Sequence, residues 1–111
     1  MKKTVTLCGK SCTLENNALL PRRYRNQFGR DLIVDMQTMV DAYRSDKSKF
    51  STETLENITW LMLKESGEAV GENPEEWLAG LDDAFAVYEV IGDVVELWGK
   101  GRETTSKPKK K

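Results

Sequence analysis

Histidine is absent from these 111 residues, which removes the commonest general base near neutral pH and the commonest transition-metal ligand. Cysteine is scarce. Cys8 and Cys12 are too few for a disulfide framework and are expected to stay thiols in a reducing compartment. Their C-x-x-x-C spacing, with no other cysteine or histidine, does not complete a zinc site. Long apolar runs are also missing: no stretch reaches the roughly 20 residues of a membrane helix, and the Met-Lys-Lys start lacks a signal peptide's apolar segment. The expectation is a cytosolic, non-catalytic protein with no metal or cofactor.

Two weaker chemical signals are present. Gly9-Lys10-Ser11 copies the end of a phosphate-binding loop, but Thr4 stands where the first glycine belongs and no helix is expected to follow. Glu75/Glu76 and Asp82/Asp83 are paired carboxylates of the kind that hold Mg²⁺ or move protons. Both pairs fall at expected helix starts, where each acid gains about 0.3–1 kcal/mol from the macrodipole, and helix capping explains them.

The formal net charge of -1 hides an asymmetry. Residues 1–98 carry 11 Lys+Arg against 17 Asp+Glu, and residues 99–111 carry 6 against 1. A single acidic domain, 1–98, with a disordered basic tail, 99–111, follows from that split and from the tail's lack of apolar residues. Lys3–Leu7 and Ser11–Glu15 read as two short strands of a hairpin separated by Cys8-Gly9-Lys10, with Gly9 supplying the positive φ of the turn.

The remainder reads as helical. Leu32, Met36, Met39 and Tyr43 form an amphipathic stripe of about three to four turns, widened by Ile33 and Val40, with Asp35 and Asp41 outside it. Ser51 caps the next helix, with Phe50 and Leu55 as a hydrophobic staple. Asn73-Pro74 opens a short helix that buries Trp77, Leu78 and Leu81 on one side. From Asp83 a last helix carries Ala84, Val87, Ile91, Val94 and Trp98; apolar around most of its circumference, it is expected to be central and to end at Gly99. The fold class is α+β: a short N-terminal β-hairpin, then a mainly α-helical bundle of four to five helices. Core packing is the default for Trp60, Trp77 and Trp98, with Trp60 the first candidate for an exposed contact.

One stretch looks chosen for more than folding. Leu20 to Asp31 contains four arginines and two aromatics. Pro21 opens a helix of barely two turns and Gly29 closes it in the left-handed conformation. Tyr24 and Phe28, spaced i, i+4, share the face that pins this helix, and Arg22, Arg23 and Arg25 radiate around the rest, with Arg30 beyond. Arginine beside aromatics suits phosphate pairing and base stacking. The surrounding domain is acidic, however, and Asp31 and Asp35 follow closely, so the arginines either brace those acids or grip a protein partner.

A hairpin followed by Pro-x-Arg-Tyr-Arg-x-x-Phe-Gly-Arg-Asp, here Pro21 to Asp31, resembles the tail assembly chaperones of long-tailed phages and prophages of Gram-positive bacteria. Asn57-Ile58-Thr59-Trp60, Glu76-Trp77-Leu78 and Glu96-Leu97-Trp98 fit the same family, so the resemblance covers about residues 5 to 111. It implies a factor that binds the tape measure protein, keeps it soluble and promotes polymerisation of the tail tube protein around it. It further implies self-association, a host-cytoplasmic location and absence from the mature virion. On this reading Arg22, Arg23, Tyr24, Arg25, Phe28 and Arg30 are the partner-binding residues. The resemblance also implies a longer product of ribosomal frameshifting near Lys109-Lys110-Lys111; on the residues alone, these lysines are a charged tail. The alternative function is a small phage-encoded nucleic-acid-binding or regulatory protein.

Overall fold

The computed structural model describes residues 1–45 and 50–106, with side chains through residue 99. Strands β1 (Lys2–Leu7) and β2 (Lys10–Glu15) pair as an antiparallel hairpin. Among the described residues five α-helices follow: α1 (Leu20–Phe28), α2 (Leu32–Arg44), α3 (Thr52–Glu65), α4 (Pro74–Ala79) and α5 (Ile91–Ser106), the last preceded by a 3₁₀ helix, Ala86–Val90. The expected α+β architecture is the observed one. The frameshift position at Lys109–Lys111 and the end of the expected disordered tail lie outside the described residues.

The hairpin turn is tighter than expected. Cys8 and Gly9 alone form it, with φ of 52° and 80°, and two successive positive φ values give the type I′ geometry whose twist matches the flanking strands. The register runs from Leu7 opposite Lys10 to Lys2 opposite Glu15, and alternation sends Val5, Leu7 and Leu14 into the core. A two-stranded sheet leaves both edges open, and polar side chains from later in the chain satisfy part of the β2 edge and of the turn. Glu68 Oε2 accepts from the Thr13 amide at 2.7 Å, Ser66 Oγ donates to the Thr13 carbonyl at 2.6 Å, and Glu89 Oε1 accepts from the Cys8 amide at 3.0 Å.

Helix ends follow local chemistry. Asn17 starts α1: its carbonyl accepts from the Leu20 amide at 3.1 Å and its Oδ1 from the Leu19 amide at 2.9 Å. Gly29, at φ 69°, closes α1 by donating to the Arg25 carbonyl at 2.8 Å. Asp31, Ser51 and Asn73 cap α2, α3 and α4 through side-chain oxygens that accept backbone amides.

The central helix is α3, not the last one. Leu55 and every residue from Ile58 to Leu63 are buried, and α3 touches β2, α1, α2, α4 and the 3₁₀ helix. The expected helix start at Asp83 fails because Asp83 turns the chain locally: its carboxylate accepts from the Phe85 amide at 2.9 Å and its carbonyl from the Ala86 amide at 3.0 Å. Such side-chain bonding competes with helix initiation. Helical geometry therefore begins as 3₁₀ at Ala86 and becomes α at Ile91, and α5 packs on the 3₁₀ helix and β1. The helix end expected at Gly99 is also corrected, since α5 continues to Ser106. Among the described residues no helix is long and apolar enough to cross a membrane.

Candidate functional site at the α1–α2 corner

The two aromatics of the arginine-rich run point inward. Tyr24 is fully buried and Phe28 half-buried, their ring centroids 4.9 Å apart. Phe28 meets Trp60 of α3 edge-on at 6.0 Å, so a line of three rings locks α1 onto the central helix. Trp60 is no surface contact: its indole lies in the core, with Nε1 donating to the Val70 carbonyl at 3.2 Å. Trp98 is buried and Trp77 half-buried.

The arginines divide between bracing and exposure. Arg30 clamps Asp35 bidentately, Nε to Oδ2 at 2.7 Å and Nη2 to Oδ1 at 2.8 Å, and the Tyr24 hydroxyl donates to the same Oδ2 at 2.7 Å. Asp35 is only 5% exposed, which corrects its expected place outside the apolar stripe. The Arg30 hydrogen bonds hold its carboxyl below the usual range against the opposing effect of burial. Burial, then the hydrogen bond to Asp35 and its charge, push the Tyr24 hydroxyl well up. Arg23 pairs with Glu65 at 2.7 Å and Arg25 loosely with Asp31 at 3.4 Å. Arg22 makes no ion pair among the described residues.

The signal for Asp35 was present in the sequence. It stands three residues after Leu32 and four before Met39, a stripe position, with Arg30 five residues earlier. An acid on an apolar face with an arginine nearby reads as a buried pair when spacing is weighed above polarity.

The corner exposes apolar surface beside these charges. Leu19 is 49% exposed, Ile33 53% and Val34 59%. Ile33 therefore does not widen the buried stripe as expected; Val40, seven residues on along the same side, is covered. An open groove of about 490 Å³ runs between α1 and the start of α2, lined by Ala18, Pro21, Arg22, Arg25, Leu32 and Ile33 among others. On the other side of α2, Tyr24, Arg30, Val34 and Asp35 line a groove of about 560 Å³ that reaches Ser51 and Thr54.

The remaining chemical candidates do not assemble. Among the described residues no group of three or more Cys, Asp or Glu side chains is placed to hold a metal ion. Gly9 sits in the hairpin turn and Lys10 and Ser11 in β2, so no helix N-terminus meets them. Cys8 and Cys12 are free thiols. Burial, with Glu68 nearby, pushes the Cys12 thiol up, away from a reactive thiolate. In the Glu75/Glu76 pair, Glu76 accepts from the Glu72 amide at 3.0 Å and donates its own amide to Asn73 at 2.9 Å, as a helix start requires.

Fold and site together define a small α+β protein with an arginine-rich, partly apolar corner between two helices. Comparison with family models, with curated proteins and with solved structures finds no match.

Proposed function

We propose that this protein is a phage tail assembly chaperone. It binds the tape measure protein, keeps it soluble, and promotes growth of the tail tube around it in the host cytoplasm, leaving no copy in the finished virion and catalysing no reaction. The observation that carries this reading is the fate of Pro21 to Asp31. Its aromatics anchor to the core, while Arg22 stands outward beside Ile33, a surface suited to covering exposed apolar parts of a long helical protein. Arg22 and Arg25 make the contact. Tyr24, Phe28 and Arg30 hold the corner rigid, and Arg23 anchors α1 to α3.

Co-expression with the tape measure protein encoded in the same genome tests it. Soluble tape measure protein that co-purifies with the chain is expected; an insoluble partner with no complex overturns the reading. The nucleic-acid alternative is less well supported, because three of the four arginines are engaged by carboxylates of the same chain. It would regain ground if the chain bound DNA or RNA with a steep salt dependence that vanished on removing residues 100–111.

A further inference from the structure

Ile33, in the first turn of α2, exposes its aliphatic side chain between α1 and α2, where Ala18 and Pro21 also line the groove. Ile33 lines the groove there with Arg22 and Arg25. The charge pattern sets this corner apart: residues 16–31 carry four arginines and a single acid, Asp31, which also lines the groove, whereas residues 65–99 carry ten acids and no Lys or Arg. Arg22 has no ion pair among the described residues, and Arg25 holds Asp31 only at 3.4 Å. An occupant of this groove must cover aliphatic surface and bring negative charge to Arg22 and Arg25.

From this geometry we infer that the groove between α1 and α2 docks an acidic amphipathic helix of a partner protein. The apolar face of that helix lies on Ala18, Pro21 and Ile33, and carboxylates on its flank pair with Arg22 and Arg25. A helix is the fitting shape because the corner is built from two helices and offers side chains, with no strand edge to extend. The corner is also stiff before binding. The Tyr24–Asp35–Arg30 cluster and the Asp31 cap tie the start of α2 to α1, so little ordering cost falls on this side of the complex. The inference rests on the chaperone reading for the owner of the helix and on the groove for its chemistry.

Fluorescence anisotropy with synthetic peptides tests the surface without the natural partner. One peptide repeats Leu-Glu-Glu-Leu-Leu-Glu-Glu over three heptads; its counterpart carries Lys at every Glu. The acidic peptide is expected to bind and the lysine peptide not. Ile33→Asp weakens binding about tenfold by removing apolar contact and setting like charges together, and Arg22→Ala weakens it about threefold, as loss of an exposed ion pair does. Ile33 is exposed and stands in the first turn of α2, where an acid favours the macrodipole, so Ile33→Asp leaves the melting temperature unlowered while weakening binding. No binding, equal binding of both peptides, or indifference to both Ile33→Asp and Arg22→Ala overturns the inference. A dimer in sedimentation that these substitutions dissociate also overturns it, because the occupant is then a second copy. Solubilisation of the tape measure protein that survives Ile33→Asp leaves the chaperone reading standing and removes this surface from it.

Discussion

The Asp35 carboxylate takes two hydrogen bonds from Arg30 and one from Tyr24, so its removal leaves a buried phenol without an acceptor and an arginine without its counter-charge. Asp35→Ala is expected to lower stability by about 2 kcal/mol in urea unfolding; a loss too small to measure would show the cluster to be incidental. The same carboxyl makes stability depend on pH. Because Arg30 holds its folded pKa below the unfolded value, the unfolded chain binds the proton more readily, and stability rises with pH across that interval. The contribution is complete above about pH 4, the ordinary Asp value, and is lost as pH falls through the folded pKa. Thermal melts from neutral pH to pH 2 should fall less steeply in Asp35→Asn than in the parent chain. Arg22, by contrast, braces nothing described, so Arg22→Ala should change stability by less than about 0.5 kcal/mol while weakening partner binding. A large drop in melting temperature would return Arg22 to the bracing group.

Among the elements, α1 depends on its ends as much as on its apolar face. It has nine residues, too few to be stable alone, and is held by Asn17 before it, Gly29 after it and the Tyr24–Phe28–Trp60 line beneath it. Gly29→Ala should cost about 1 kcal/mol through the left-handed backbone alone, since nothing lies within 4 Å of the added carbon. Gly29→Asn should cost less, because asparagine tolerates that conformation; equal losses would point to a cause other than φ. Most element positions were legible from local chemistry: the hairpin, the Ser51 and Asn73 caps, and the Pro21 to Gly29 helix. The 3₁₀ entry at Ala86 was not, because the apolar spacing of Val87, Ile91 and Val94 is equally satisfied if the helix starts late. Asp83 decides the start by bonding to its own neighbours.

For the whole molecule, a single apolar cluster runs from Val5 and Leu14 of the hairpin through Tyr24, Met36 and Trp60 to Val94 and Trp98 of α5. Unfolding should therefore be one cooperative transition. Tryptophan fluorescence, which reports Trp60 and Trp98 in different parts of the core, and far-UV circular dichroism should give coincident denaturation curves; separated midpoints would mean that part of the chain folds independently. Polar ties reinforce this unity. Lys3 reaches Glu96 at 2.6 Å and Asp93 at 3.5 Å, joining β1 to α5, and Glu68 and Glu89 satisfy hairpin amides. Many of the acids that make residues 1–98 net negative thus have structural partners within the domain.

By itself the sequence determined what depends on neighbours along the chain: which segments turn, cap and repeat at helical or strand spacing, and which chemistry its composition cannot supply. It also singled out Pro21 to Asp31 as unusual. Tertiary structure decided which positions on each amphipathic face are covered. Ile33 and Val40 lie on one side of α2, yet only Val40 is buried; Asp35 is drawn inward because Arg30 and Tyr24 meet it there; Trp60 is buried because α1 and the Val70 loop close over α3. Burial is a property of what packs opposite, and spacing along a single helix does not contain it.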